Sequence, residues 1–515
     1  GACGKDRSPT KPPQCTTTGS ASPAVAAVLP RPLQPGPYHA LFQAAAAEFG
    51  VPAALLESIG WTETRWSMVQ GHEEFEGMPP AFGVMALRGE ALQRAAALAG
   101  VGVQAARTDA AANIRAGAAL LAAYGKETGA DATSPASWYS AAARYSGIEL
   151  PEARAQYTSA ALAGAGIRPV APLASVAADT SCGTTPPPSA TVDEPGAIWH
   201  GSPNFNQRMA PPGGTIHMII VHTCEGNYAG CWSWLQNTAS QVSAHYVMNE
   251  EGTEVTQLVR EKDRAWQIAA TYDCTLNFDH DCAQGQYNGV QSNHFTIGVE
   301  HGGYADVTQW TPSFYAASAR LMCDISKRWD IPRDWRHIVG HGQLQPNNRT
   351  DPGSKWPWTT YMGMIQRACG ELVVDDDNAR NDTAYVKAQV AAGWTLVASR
   401  AATAYPPFYG FGYRSIASDA ATDAPLVFSF HLDAAATKAV EGWWVAGSDR
   451  TSAARFVAVN AAGDTVGSVT VDQTKNGGAW QALGQWSFSA GWNRIVLSRR
   501  SAAAGLVVGD AIRVK

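Results

Sequence analysis

Met218-Ile219-Ile220-Val221-His222-Thr223 is the stretch from which the fold can be read. A short apolar run with β-branched residues is the pattern of a strand buried on both faces, and such a strand belongs to a sheet covered by helices. His222 follows the run. Two more signatures come later: Thr296-Ile297-Gly298-Val299-Glu300-His301-Gly302, and Gly340-His341 leading to Arg349-Thr350-Asp351-Pro352-Gly353. Together the three stretches supply imidazoles, carboxylates and a guanidinium. Two histidines and one carboxylate, with a fourth position left open, form the ligand set of a catalytic zinc site. His222, His341 and Asp351 are therefore the candidate ligands and Zn2+ the expected cofactor. Zinc in such a site polarises an amide carbonyl and brings the pKa of bound water to about 7. Glu300 is the candidate to take the water proton and pass it to the leaving amine. Arg349 is the candidate donor to the developing oxyanion.

At 515 residues the chain is too long for one ordinary core, so several domains are expected. Charged residues are 16% and the formal net charge is −6. That argues against nucleic acid as the main partner, because phosphate neutralisation needs a basic surface. The 18 Trp suit sugar-stacking faces as well as packing, so composition leaves a carbohydrate partner open. No apolar run is long enough to span a bilayer. A monomer is expected.

Nine Cys in a chain rich in linkers point to an oxidising compartment. Cys224/Cys231 and Cys274/Cys282 are close enough for short loops. Cys323 and Cys369 are expected to pair, as are Cys15 and Cys182, although spacing alone leaves other connectivities open. Gly1-Ala2-Cys3-Gly4 resembles the end of a bacterial lipoprotein signal, which makes Cys3 a candidate lipid anchor; the alternative is a free thiol.

Residues 1–36 are rich in Pro, Ser and Thr and are expected to be a disordered tether. Residues 37–168 read as four or five helices. Leu41, Ala45 and Phe49 have helical spacing, and Gly50-Val51-Pro52 breaks that helix. Pro52 is expected at the first position of the next one, Ala53 to Trp66. Asp109 is expected to cap a further helix through Asn113 to Tyr124, and a last helix to cover Ser137 to Tyr145. The runs LLESIGWTETRWS, AFGVMAL, NIRAGAALLAAYG and AAARYSG resemble the lysozyme-like lytic transglycosylases of bacterial walls. The resemblance implies that Glu63 protonates the glycosidic oxygen and then receives the proton of the muramic 6-hydroxyl. One carboxylate serves both steps if burial raises its pKa. A hydrolytic variant needs a second acid, for which Glu73, Glu74 and Glu76 are the candidates. Thr64, Ala86 and Ser146 depart from the family pattern, which leaves a retired scaffold as the alternative. Tyr145 is either core or cleft wall.

Residues 169–196 form a second linker with a stiff Pro-rich segment at 184–188. Residues 197–370 mix strands and helices. A helix opens within Gly230 to Leu235. Val242 to Met248 and Thr253 to Leu258 flank a turn at Asn249-Glu250-Glu251-Gly252. Thr311-Pro312 reads as an N-cap followed by Pro at N1, and Phe314, Ala317, Leu321 and Ile325 line one helix face. This region resembles the N-acetylmuramoyl-L-alanine amidases of the peptidoglycan-recognition type, on SPNFNQR, IIVHT, VSAHYVMNEEG, IGVE and GH followed by TDPG. The resemblance implies His222, His341 and Asp351 as zinc ligands, Glu300 as the catalytic carboxylate and a Cys224–Cys231 disulfide. Arg349 stands where the family has Lys, a swap that alters the donor's geometry. His337 is read as a non-ligand and His245 as structural. Trp356 and Trp358 could be substrate wall or packing.

Residues 371–515 read as short strands separated by Gly, Asp and Asn turns, a β-sandwich. VVDDDN, YGFGYR, WWVAG, LGQWSF and GWNRIVLSR resemble golvesin- and xanthan-lyase-type C-terminal modules, which implies a carbohydrate-binding-like role. Trp394, Tyr409, Tyr413, Trp443, Trp444 and Trp486 are stacking candidates, with most expected in the core. The expected whole is multidomain: a helical lysozyme-like region, an α/β amidase and an all-β sandwich. The expected protein is secreted, periplasmic or envelope-associated and degrades peptidoglycan. The rival is a wall-binding protein that does not cut, or one with a single active half.

Overall fold

The computed structural model describes residues 35–75, 77–167, 192–277, 286–307, 310–398 and 408–515. Cys3, Cys15, Cys182 and Cys282 lie outside these, and so do the expected lipid anchor and the Cys15–Cys182 pair. Cys274 is disulfide-bonded.

The helical region is built around Ala110–Thr128, whose Ile114, Ala118 and Leu121 are fully buried. Asp109 caps it as expected, accepting from the Ala112 amide at 2.8 Å. Small residues let neighbours close in: a Cβ at Gly117 would meet Met85 at 2.7 Å. Pro52 stands one place earlier than expected. It is the N-cap of Ala53–Thr64, in extended backbone, because the first helical turn begins only at Ala53. The last expected helix divides into a 3-10 turn, Pro135–Trp138, and Tyr139–Tyr145. Three helices were not anticipated: Gly89–Ala99, Val103–Thr108 and Pro151–Gly164. Pro151–Gly164 lies against Ala53–Thr64, and Ser58 Oγ donates to Ala161 O at 2.6 Å.

The central region is a mixed six-stranded sheet. Its order is Ile338–Gly340, Met218–Thr223, Thr296–His301, Tyr246–Met248, Val255–Gln257 and Ile198–Trp199. The first four are mutually parallel, and the turn hairpin makes the antiparallel pair. Every residue of Met218–Thr223 and Thr296–His301 is buried, as a parallel sheet covered on both faces requires. Pro312–Arg328 and Trp358–Ala368 cover one face and are joined by Cys323–Cys369. Thr311 caps the first of them through the Phe314 amide. Cys224 and Cys231 are also bonded.

The other cover is less expected. Tyr228–Gln236 packs against Pro151–Gly164 of the helical region. Tyr228, Trp232 and Leu235 join Ile59, Leu120 and Tyr157 in one apolar cluster. The helical region therefore does not hang from a linker as a separate bead. It shares a core with the central region, and polar pairs rim the seam: Arg65 to Glu251 at 2.6 Å, Gln156 to Glu254 at 2.8 Å and Arg88 to Glu225 O at 2.5 Å.

Residues 372–514 form antiparallel sheets of five, four and three strands around Phe428, Phe430, Ile495 and Leu497. Of the stacking candidates, Trp394, Tyr409, Tyr413 and Trp444 are buried, whereas Trp443 and Trp486 are partly exposed. Arg336 ties this module to the central region by donating to Phe408 O and Gly410 O.

Candidate metal centre

The ends of three adjacent parallel strands create the site. His222 lies directly opposite Glu300 in the sheet register. On the other side Ile338–Gly340 runs alongside Ile219–Val221, so His341, the next residue, emerges at the same edge and begins a short helix. Asp351 returns from a loop pinned by Gly342 N donating to Asp351 O at 2.9 Å. Gly353, with φ 88°, permits that return; a Cβ there would lie 2.3 Å from Asp306 N.

His222 Nδ1 lies 3.1 Å from His341 Nδ1. Asp351 Oδ2 is 3.2 Å from the first and Oδ1 is 3.3 Å from the second. Both rings are oriented from behind. Gln267 Oε1 faces His222 Nε2 at 3.1 Å, and Gln345 Oε1 faces His341 Nε2 at 3.3 Å. An amide oxygen there favours a proton on Nε2, which leaves each Nδ1 with its lone pair toward the centre. Neither glutamine was singled out from sequence. The one signal in the sequence is Gly298, a glycine inside a strand and so a mark of close approach; a Cβ there would overlap Gln267 Oε1.

Glu74 completes the group. It comes from the helical region, where it was a candidate for glycan chemistry. Its Oε1 lies 3.0 Å from His341 Nδ1 and 3.5 Å from His222 Nδ1. Glu74, His222, His341 and Asp351 each offer a donor atom within 4.8 Å of all the others. Glu73 is exposed, and Glu76 lies outside the described residues.

The residues fit zinc. The donors are imidazole nitrogen and carboxylate oxygen, few in number, unlike the oxygen shells of calcium or magnesium. Asp351 Oδ1, Asp351 Oδ2 and Glu300 Oε2 are buried without a hydrogen-bond partner. Carboxylates dominate the local field. Burial opposes charge on His341, but Asp351 and Glu74 outweigh it and push its pKa up to about 9. Burial likewise opposes charge on His222, and Glu300, Asp351 and Glu74 hold its pKa well above the ordinary value. Burial raises Glu300 to about 8, with His222 opposing and Glu74 and Asp351 adding. Three carboxylates and two imidazoles thus converge in one buried pocket, where a bound cation would take the place of protons on the rings.

Glu300 is 1% exposed, with Oε1 3.8 Å from His222 Nδ1. Arg349 sits at the mouth of the site, its Nε 3.7 Å from Glu74 Oε2. A cavity of about 410 Å3 opens there, lined by His72, Glu73, Glu74, Glu225, Arg349 and Asp351. His337 faces away, held by Asp334 and His217. His245 is structural: its ring meets Arg208, Asp263 O and Gly298 N, and burial holds it neutral. Trp356 packs between His301 and Trp310, so of its two readings packing is the one found.

Glu63 lies apart from this centre. It is buried near the end of Ala53–Thr64 and accepts from Tyr157 Oη at 2.6 Å and Asn227 Nδ2 at 3.0 Å. Burial raises its pKa against those hydrogen bonds. It lines a second cavity, of about 490 Å3, together with Tyr145, Glu149, Asn227 and Trp234. Tyr145 is thus cleft wall, with its hydroxyl donating to Met85 O.

Residues 212–354 match the N-acetylmuramoyl-L-alanine amidase family, and residues 378–515 match the golvesin C-terminal domain. The chain is 35% identical over 197 residues to N-acetylmuramoyl-L-alanine amidase A of Achromobacter lyticus, an alignment that takes in 35% of this chain and 98% of the relative. It is 25% identical over 188 residues to the 1,6-anhydro-N-acetylmuramyl-L-alanine amidase AmpD of Escherichia coli (strain K12), covering 32% of this chain and 90% of the relative. Among solved structures a Paenibacillus xanthan lyase matches at 27% identity and a TM-score of 0.23, over 28% of this chain and 13% of that one. With a family match that takes in His222, Glu300 and His341, and a relative aligned over nearly its whole length, the chain belongs to the N-acetylmuramoyl-L-alanine amidase family.

Proposed function

We propose that this amidase is zinc-dependent and cuts peptidoglycan between the lactyl group of N-acetylmuramic acid and the L-alanine of the stem peptide. The observation that carries the reading is the pair of Nδ1 atoms turned to one centre beside an unpartnered Asp351 carboxylate. His222, His341 and Asp351 would hold the ion. When bound, it supplies polarisation of the scissile carbonyl and a lowered pKa for water. Glu300, at the adjacent strand end, takes the proton of the attacking water on a carboxylate oxygen and returns it to the leaving amine. Arg349 offers its guanidinium to the oxygen that gains charge. The disulfides support a location outside the reducing cytoplasm. The C-terminal sandwich would hold the enzyme on its polymer.

A second reading rests on Glu63. A buried carboxyl of raised pKa on the wall of a cavity is the arrangement a general acid needs, and it supports glycan cleavage by the same chain.

One digest tests both. Purified peptidoglycan treated with the enzyme is expected to yield free L-alanine N-termini by mass spectrometry. The yield should vanish after chelation and return on adding zinc. Wall left uncut by zinc-loaded enzyme would sink the first reading. Anhydro-muramic ends should appear alongside the amidase products and be lost selectively in Glu63→Gln, by about 10²–10⁴-fold. If those ends are absent from the wild-type digest, or persist in the variant, Glu63 is not the glycan acid.

A further inference from the structure

We propose that Glu74, carried by the helical region, is a fourth metal ligand, and that it latches the amidase by filling the coordination position that substrate and water must use. The proposal rests on the zinc reading above and adds to it a residue from outside the amidase family match, which begins at 212.

Four donor groups crowd one point, each with a donor atom within 4.8 Å of all the others. Zinc with ligands at roughly 2.0–2.1 Å has ligand–ligand edges of about 3.3 Å. Here the two imidazole nitrogens are 3.1 Å apart, Glu74 Oε1 lies 3.5 and 3.0 Å from them, and Asp351 meets one through Oδ2 at 3.2 Å and the other through Oδ1 at 3.3 Å. Catalytic zinc sites keep three protein ligands and an open position, whereas four protein ligands make a closed site. Glu74 is 6% exposed and is seated, not stray. Its neighbour Phe75 is buried in the shared core, and Arg349 sits over its outer oxygen.

The segment that carries it, residues 70–75 and 77–80, is not part of any helix or strand, and the Val69–Gly83 bridge closes it at its base. Gly71 and Gly77 have φ 72° and 82°, and Pro79-Pro80 follow. The segment also touches both cavities. His72, Glu73 and Glu74 line the one at the metal centre. Gly77, Met78 and Pro79 line the one that holds Glu63. A glycan strand entering the second cavity therefore meets the loop that carries the ligand of the first. Opening the position means withdrawing Glu74 Oε1 from both His341 and His222.

The test uses the full chain with cobalt(II) in place of zinc and azide as the probe anion. Wild type is expected to show a four-coordinate cobalt spectrum that azide leaves unchanged. Glu74→Gln should bind azide with a spectral shift and lose metal to a chelator at least about tenfold faster, since loss of even an outer-shell partner costs about 10–100-fold in affinity. Its turnover of a small soluble muramoyl-peptide should rise at least about tenfold, as removing a dominant closed state predicts. Glu74→Asp keeps the charge but is one methylene short, and should fall between the two. Equal azide response and equal metal loss in wild type and Glu74→Gln would overturn the latch even if both proteins cut the amide. A Glu74-dependent spectrum with no amide cleavage by any variant would overturn the amidase reading and leave the ligand. Absence of cobalt binding in all three proteins would overturn both.

Discussion

Replacing Asp351 with alanine is expected to strip the protein of zinc and to abolish amide cleavage together. Asp351 is 3% exposed, and both its carboxylate oxygens are buried without a hydrogen-bond partner. Their distances of 3.2 and 3.3 Å to the two imidazole nitrogens mark the carboxylate as the anion that shares the centre with them. Without it, two imidazoles and Glu74 remain. Metal affinity should therefore fall by more than the roughly 10–100-fold that loss of an outer-shell partner costs. The chemistry the ion supplies is worth several kcal/mol, so turnover should drop by at least about 10³-fold. The backbone role of this residue survives the change, because it is the carbonyl of 351 that accepts from Gly342 N. Metal content of the purified protein and release of L-alanine N-termini are the two readouts. Stoichiometric zinc with undiminished cleavage would remove Asp351 from the site.

The elements legible in the sequence were those whose local pattern matched their surroundings. Met218–Thr223 reads as a buried strand because both of its faces are covered, and the structure buries all six residues. Thr311-Pro312 reads as a helix start because capping is local chemistry. Pro151–Gly164 went unread although Pro151 at its first turn and Glu152 beside it were available signals. Its apolar periodicity is weak because Tyr157, Ala161 and Leu162 are pressed between the other helices and Tyr228–Gln236. In the sandwich, alternation revealed strands but not which aromatic residues faced out, since Trp443 and Trp444 are adjacent and only one is buried.

The least legible feature was the joining of the two halves. Nothing local in His72-Glu73-Glu74 distinguishes a glycan acid from a metal ligand. Glu74 reaches the two imidazoles because the two regions share a core through Trp232 and Tyr157, which is a tertiary fact. Gln267 and Gln345 were hidden for the same reason: each acts through the ring in front of it. The seam also explains why Asn227 and Glu63, 164 residues apart, share a hydrogen bond at 3.0 Å. A helical region that lends a carboxylate to one site and borrows an amide for the other is coupled to its neighbour at both cavities.

Glu300→Gln separates holding the metal from doing the chemistry. The substitution preserves volume and shape in a position that is 1% exposed, so the fold and the zinc content are expected to stay as in wild type. What it removes is the ability to take a proton. General base catalysis contributes typically 10²–10⁴-fold, so kcat on a soluble muramoyl-peptide should fall by about that factor with KM little changed. The alternative is that Glu300 only fills the strand end opposite His222, where the register puts it whatever its chemistry. In that case glutamine, which fills the same space and can still accept a hydrogen bond, would cost little activity. A variant that retains zinc and most of its turnover would therefore exclude Glu300 as the base, whereas a zinc-replete variant with kcat down by hundreds-fold or more leaves no structural explanation for the loss, because the structure it would have to disturb is still holding the ion.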